Sequence, residues 1–199
     1  MRILVVGASG DIGRAAVAAL RGRGHEVVAA HRTAPDHPVD LGDRGSVARL
    51  LTSVGRADAV VSAVGGTPFG PWESMDREKW MAGLEGKLLG QIMLVQQARE
   101  IVPVGGSFTL VSGVLSDQPV RGGSVSSAIN AAIEAWVRST ALELWGEHRI
   151  NVVSPTVLAG SRERYDAAFP GFPSVDDHAV GQAFVRSVES GETGLVYRP

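Results

Sequence analysis

The stretch V-V-G-A-S-G-D-I-G-R at residues 5–14 constrains the fold of this chain more than any other. Three glycines, Gly7, Gly10 and Gly13, stand between a short apolar run at 3–6 and a segment of helical periodicity at 12–21. A glycine ending a strand permits a tight turn. A second removes bulk where backbone must approach a phosphate, and a third lets the helix pack closely on the strand. The helix start then offers free N–H groups and the positive end of its dipole. The residues alone leave two readings open: a cradle for a dinucleotide, or a turn with a purely structural role.

The rest of the chain alternates in the same way. Apolar, strand-like runs fall at 26–30, 57–64, 106–112, 149–155 and 194–198, with "VDL" at 39–41 as a short further strand. Helical patterns fall at 46–54, from 74 to about 101, at 124–144 and at 174–188. Ser46 is the expected N-cap of the first of these, and Ser174 with Asp177 has capping-box spacing for the last. Near-continuous apolar strands separated by helices imply a parallel sheet covered on both faces. The expected fold is α/β: a doubly wound, Rossmann-type parallel sheet of about seven strands in one domain spanning 1–199. Only about eight residues link the second and third strands, too few for a crossover helix. The third strand is therefore expected to be short, irregular or at an edge.

Composition excludes several function classes. A net charge of −2 provides no basic field for nucleic acid. The absence of cysteine removes disulfides, thiolate nucleophiles and cysteine-ligated metals. The five histidines show no metal-ligand spacing, so no metal is expected. The first apolar run is too short to span a membrane and meets a glycine turn directly, so it reads as a strand and not a signal peptide. The expectation is a cytoplasmic protein without a membrane partner.

Cofactor selectivity is set at the end of the second strand. An acidic residue there would hold the ribose hydroxyls of NAD. This chain has A-A-H-R-T, and Arg32 can pair with a 2′-phosphate through its guanidinium fork, which favours NADP(H) over NAD(H). The plain alternative is an exposed loop arginine, one of 17 beside only two lysines.

Taken together, these features resemble the short-chain dehydrogenase/reductase superfamily over nearly the whole chain. "VVGASGDIGRA" is similar to its glycine turn, and "VDLGD" to the segment whose aspartate, here Asp40, meets the adenine ring. "DAVVSAVGG" stands where the family has Asn-Asn-Ala-Gly, with Ser62, Ala63 and Val64 replacing the first three. "AAIEAWVRSTALEL" resembles the active-site helix, and "RINVVSPTVL" the strand ending in Pro-Gly, with Thr156 for the glycine. The resemblance implies cofactor contacts at Gly7, Ser9, Gly10, Asp11, Ile12, Gly13, Arg32, Asp40, Leu41, Ala63, Gly65, Asn130 and Pro155.

The family's usual chemistry uses a tyrosine as acid or base, a lysine four residues later that lowers its pKa, a serine that polarises the substrate carbonyl, and an asparagine that holds a relay water. An ungapped reading puts Ser126 at the tyrosine position, Asn130 at the lysine, Gly113 at the serine with Ser112 beside it, and Lys87 at the asparagine. No Tyr-x-x-x-Lys occurs anywhere: the tyrosines are Tyr165 and Tyr197, and Phe169 lies four after the first. The chain resembles a short subgroup that keeps the glycine turn and lacks these residues.

Asn130 can keep the lysine's hydrogen bond to the nicotinamide ribose but not its charge. Ser126 is a poor acid without a base. The candidate catalytic groups are then Lys87, Ser112 and Ser126. For Lys87 the plainer expectation is a side chain that snorkels to solvent or pairs with Glu85 or Glu134; buried beside the nicotinamide, desolvation would lower its pKa and let it donate a proton. Tyr165 and His178 lie in or near the segment that would lid the substrate, and Phe169, Pro170, Phe172 and Pro173 are candidates for an apolar wall. Trp72 and Trp80 are expected to pack. Ile129, Ala132, Ile133, Trp136, Val137 and Leu144 surround much of the long helix, which suggests a homodimer or homotetramer through that helix.

Two function classes follow. One is an NADP(H)-dependent oxidoreductase of a small carbonyl or alcohol with non-standard catalytic residues. The other is a dinucleotide-binding sensor or regulatory partner subunit without turnover. A relic that binds nothing is a third.

Overall fold

A computed structural model describes residues Met1–Pro199. Its main sheet has six parallel strands in the order β2-β1-β3-β4-β5-β8. These are β1 (Arg2–Val6), β2 (Glu26–Ala30), β3 (Ala59–Ser62), β4 (Ser107–Val111), β5 (Arg149–Val153) and β8 (Val196–Tyr197). Between β5 and β8, β6 (Val157–Leu158) and β7 (Ser174–Val175) form a separate small parallel pair. The helices are α1 (Asp11–Gly22), α2 (Arg44–Val54), α3 (Arg77–Gly83), α4 (Gly90–Ala98), α5 (Ser124–Glu143), α6 (Arg162–Tyr165) and α7 (Asp177–Glu189).

Every residue of β3 and β4 is buried, because apolar side chains leave both faces of the sheet. Leu4 and Val6 point into a core shared with α2, α4 and α5. Ile3 and Val5 point into the opposite core, with Ala15, Leu20, Val180 and Phe184 of α1 and α7. The doubly wound expectation holds. The chain leaves β1 toward β2 on one side and β3 on the other, so a crevice opens at the carboxyl ends of the strands beside the glycine turn.

Three local expectations are corrected. "VDL" is not a strand: His31 and Pro38 form a single bridge, and Val39 and Leu41 are buried as loop residues. Pro35 and Pro38 remove ladder donors from a link already too short for a crossover, so the main sheet has six strands and not seven. The N-cap of α2 is Asp43, whose carboxylate accepts from Gly45 N; Ser46 instead accepts from Asp40 N. The N-cap of α7 is Asp176, with Ser174 in β7.

The helical region starting near residue 74 is one run with a defect. Between α3 and α4 the turns at Leu84–Leu89 are π-helical. The run is pressed between neighbours: a Cβ at Gly83 would lie 2.7 Å from Ile129 Cδ1, and one at Gly90 would lie 3.0 Å from Leu41 Cβ. On α5, Ile129, Ile133, Val137 and the following Leu144 are buried inside the chain, and Trp136 packs on the same core. The apolar excess read from that helix is thus largely spent internally, and its exposed large apolar groups are Leu142 and, just beyond it, Trp145. Trp80 packs against the core as expected, but Trp72 is 71% exposed. No helix is long and apolar enough to cross a membrane.

Candidate active site

The glycine turn is forced by contact. Gly7 has φ +85°, and a Cβ there would lie 2.7 Å from the Ala63 carbonyl oxygen. A Cβ at Gly13 would overlap the Gly7 carbonyl oxygen, so α1 seats directly on the turn. Gly10, the N-cap of α1, supplies no side-chain acceptor and leaves the first-turn N–H groups at the wall of a cavity.

That cavity, about 560 Å³, brings together Gly10, Asp11, Ile12, Ala63, Gly65, Lys87, Ser126, Asn130 and Pro155 of the expected site. An adjoining cavity, which shares Gly10, Ala63 and Gly65, is lined by Gly7, Ser9, Arg32, Asp40 and Leu41. His31 and Thr33 flank Arg32 there, and Arg32 is exposed. Gly13 lies behind the turn. Ser112 lines neither cavity.

Lys87 does not snorkel and pairs with neither Glu85 nor Glu134. It sits in the π-helical turns, 6% exposed, and Nζ donates to the Ser112 carbonyl oxygen at 3.1 Å. Its methylene stem crosses Gly65, where a Cβ would lie 2.5 Å from Lys87 Cδ and 2.8 Å from Cε. Gly65 also has φ +141°, so this position admits the lysine only as glycine. Burial without a carboxylate partner lowers the Lys87 pKa from 10.5 to about 8.

Asn130 reaches the same strand end from α5. Its Nδ2 donates to the Gly113 carbonyl oxygen at 3.2 Å, and its Oδ1 is buried with no protein partner. Amine and amide thus converge on consecutive carbonyls after β4. The two candidate serines are engaged elsewhere. Ser112 Oγ donates to Glu134 Oε1 at 2.8 Å, and Ser126 Oγ lies 2.5 Å from Thr67 Oγ1. No base contacts Ser126.

Gln91, Ser116, Ser161, Arg164 and Arg198 escaped sequence reasoning, as did the partners of Glu134 and Asp11. Gln91 is fully buried: its Nε2 donates to the Lys87 and Val111 carbonyls, and its Oε1 accepts from Val111 N. It pins the π-helical turn to the end of β4 and satisfies the N–H and carbonyl of Val111 together with the Lys87 carbonyl. Glu134, also buried, accepts from Ser112, Ser116 and Arg198. Asp11 accepts from Ser161 at 2.7 Å and from Arg164 at 2.9 Å, which clasps the segment after β6 to the glycine turn. The Ser161 bond, then Arg164 and Arg14, holds the Asp11 carboxyl below its usual range. In that segment Tyr165 and Phe169 line the cavity, Phe172 packs behind Phe169, and His178 is exposed on α7 away from it.

The sequence profile of a family described as Enoyl-(Acyl carrier protein) reductase matches residues 7–194. Human L-xylulose reductase is 34% identical over 178 residues, 80% of this chain and 72% of that protein. The chain belongs to the short-chain dehydrogenase/reductase superfamily. Among superfamily structures, the protein lin1944 from Listeria innocua is 36% identical with a TM-score of 0.96, covering 100% of this chain and 98% of its own. A small-chain dehydrogenase in complex with NADPH is 25% identical with a TM-score of 0.87, covering 100% of this chain and 96% of its own. The six-stranded parallel sheet is the fold of this oxidoreductase superfamily.

Proposed function

We infer that this chain is an NADP(H)-dependent oxidoreductase of a small carbonyl or alcohol, in which Lys87 supplies the proton that a tyrosine supplies in relatives. The carrying observation is the buried Lys87 ammonium at the cavity wall, bonded to a carbonyl and to no carboxylate.

The residues present fit the dinucleotide. The turn at Gly7 and Gly13 has room for no side chain, the start of α1 lacks a side-chain cap, and Asn130 Oδ1 is an unpartnered acceptor at the cavity. Ser9, Gly10, Asp11 and Ile12 would hold the pyrophosphate, Arg32 the 2′-phosphate, Asp40 and Leu41 the adenine, and Ala63, Gly65, Asn130 and Pro155 the nicotinamide half. When held there, NADPH would supply the hydride that reduces a carbonyl carbon. Lys87 Nζ then gives its proton to the developing alkoxide. With a pKa near 8, the amine is mostly protonated at pH 7 yet yields its proton more readily than an ordinary lysine. Gly65 and the Ser112 carbonyl hold that nitrogen in place. Ser126, paired with Thr67, orients the substrate oxygen by hydrogen bonding, without acid strength of its own.

The second reading, a dinucleotide-binding sensor or partner subunit without turnover, draws on the engagement of Ser112 and Ser126 by other groups. One experiment separates them. Calorimetry with NADPH and NADH tests binding, and NADPH absorbance across a panel of aldehydes and ketones tests turnover. The oxidoreductase reading expects oxidation of NADPH that Lys87→Met removes. Tight cofactor binding with no oxidation across the panel favours the sensor; no binding at millimolar cofactor sinks both.

A further inference from the structure

The substrate end of the cavity is walled by aromatic rings from two distant segments. Phe69, on the loop after β3, and Phe169, on the segment after α6, lie with centroids 6.3 Å apart and planes inclined by 26°. Tyr165 meets Phe169 edge-on at 6.1 Å, and Phe172 supports it from a second edge at 5.4 Å. Phe69 is 45% exposed and Tyr165 42% exposed, although both line the cavity. Leu115 and Val157 extend the apolar wall. Rings left partly open to water beside a cavity are the surfaces a flat apolar ligand covers.

Polar groups at this end are few: Lys87, Ser126, Thr67, Thr156, which donates to the Pro173 carbonyl, and the Tyr165 hydroxyl at the rim. Lys87 serves the reacting oxygen. Ser126 and Thr67 are bonded to each other, so one of their two hydroxyl protons is already used. A substrate with several hydroxyls would bury most of them without partners, each a roughly tenfold loss of affinity. Apart from Lys87, which serves the reacting oxygen, the basic groups on the segment carrying the wall, Arg162 and Arg164, are held by Asp166 and Asp11, so no second cation is free to pair with a substrate carboxylate.

We propose that the substrate is a flat, uncharged, largely apolar ring ketone or aldehyde, stacked against Phe169 with its oxygen toward Lys87, and that the aromatic wall excludes polyhydroxylated ketoses. This rests on the oxidoreductase reading for the direction of the carbonyl, but the wall makes its own prediction about binding.

The test uses the protein saturated with NADP⁺, a complex that cannot reduce a ketone, titrated calorimetrically with 2-tetralone and with xylulose. The expected result is 2-tetralone binding at least 100-fold tighter than xylulose. Phe169→Ala weakens 2-tetralone at least tenfold, and Phe169→Leu, which keeps apolar volume and loses the ring face, weakens it about threefold. Equal or tighter binding of xylulose overturns the proposal, as does unchanged 2-tetralone affinity in both variants. Failures are distinguishable. Tight 2-tetralone binding without NADPH-dependent reduction refutes the oxidoreductase reading and supports the aromatic wall. Reduction of ketoses in preference to ring ketones refutes the wall and supports the reductase.

Discussion

The turn at residues 7–13 and the helical run at 84–91 wall the same cavity, yet they are held by different means. In the turn the working surface is backbone, and the absence of side chains at Gly7 and Gly13 is what shapes it. In the helical run the working surface is side chain: Lys87, in the π-helical turns, and Gln91, at the start of α4, point inward and are fixed to the end of β4. The first arrangement leaves a spacing in the sequence that any reader can find. The second depends on what the helix meets after folding. In the proposed function, cofactor binding and proton donation therefore have separate structural bases, and substitutions are expected to break one while sparing the other.

The largest effect is expected at the turn. Gly13→Ala drives a methyl group into the Gly7 carbonyl and is expected to cost about 2–4 kcal/mol of stability. It also lowers NADPH affinity more than 100-fold; thermal unfolding and calorimetry check both. A variant that binds NADPH normally would remove the turn from the account.

Lys87→Met is the complementary break. Carbonyl reduction is expected to fall at least 100-fold, with NADPH affinity within threefold of the parent. The same variant is expected to be more stable. In the folded state Lys87 has a pKa near 8, below its unfolded value, so the penalty for burying its charge is fully present below pH 8. That penalty, roughly 3 kcal/mol, fades as pH rises from about 8 to 10.4. Losing the bond to Ser112 offsets about 1 kcal/mol, for a net gain of about 2 kcal/mol at pH 7. Denaturant unfolding at pH 7 and 10 should show that gain shrinking at the higher pH. For the parent enzyme, the reduction rate should decline tenfold per unit above about pH 8.

Smaller effects sharpen the division. Arg32→Ala should weaken NADPH about tenfold and leave NADH within twofold, because the partner proposed for that side chain is the 2′-phosphate. Asp11→Asn should loosen the clasp to Ser161 and Arg164 and speed NADPH release a few-fold in stopped-flow fluorescence. Because the Asp11 carboxyl is held below its usual range, the clasp is present at neutral pH and fails only as pH falls through that depressed value. The carboxylate is more than a third exposed, so its stability contribution is about 0.5 kcal/mol or less.

The same contrast explains what the sequence disclosed. The strand runs, α1 and α5 were legible because burial on both faces and helical periodicity act over many residues. The N-caps slipped because several polar residues stood near each helix start, and loop geometry chose Asp43 over Ser46 and Asp176 over Ser174. Lys87 was misjudged for a deeper reason. A lysine near Glu85 and Glu134 reads as one that snorkels or pairs with them, and only carbonyls at the end of β4, those of Val111 and Ser112, hold Lys87 and Gln91 inward. Gly83, Gly86 and Gly90 were the available signal, since two of them are glycine because Ile129 and Leu41 press against the helix. Ser112 was misjudged because its partner, Glu134, is set by Arg198 far along the chain.

Proton donation by Lys87 requires a buried amine that holds its proton only up to about pH 8. The chain has two lysines, Lys79 and Lys87, so a protein labelled with ¹³C-lysine shows two Cε resonances, and Lys87→Met assigns them by removing one. Titrated by NMR, the resonance lost in that variant is expected to move with a midpoint near 8. A midpoint in the ordinary lysine range, about 10.4, would contradict the assignment of Lys87 as the proton donor.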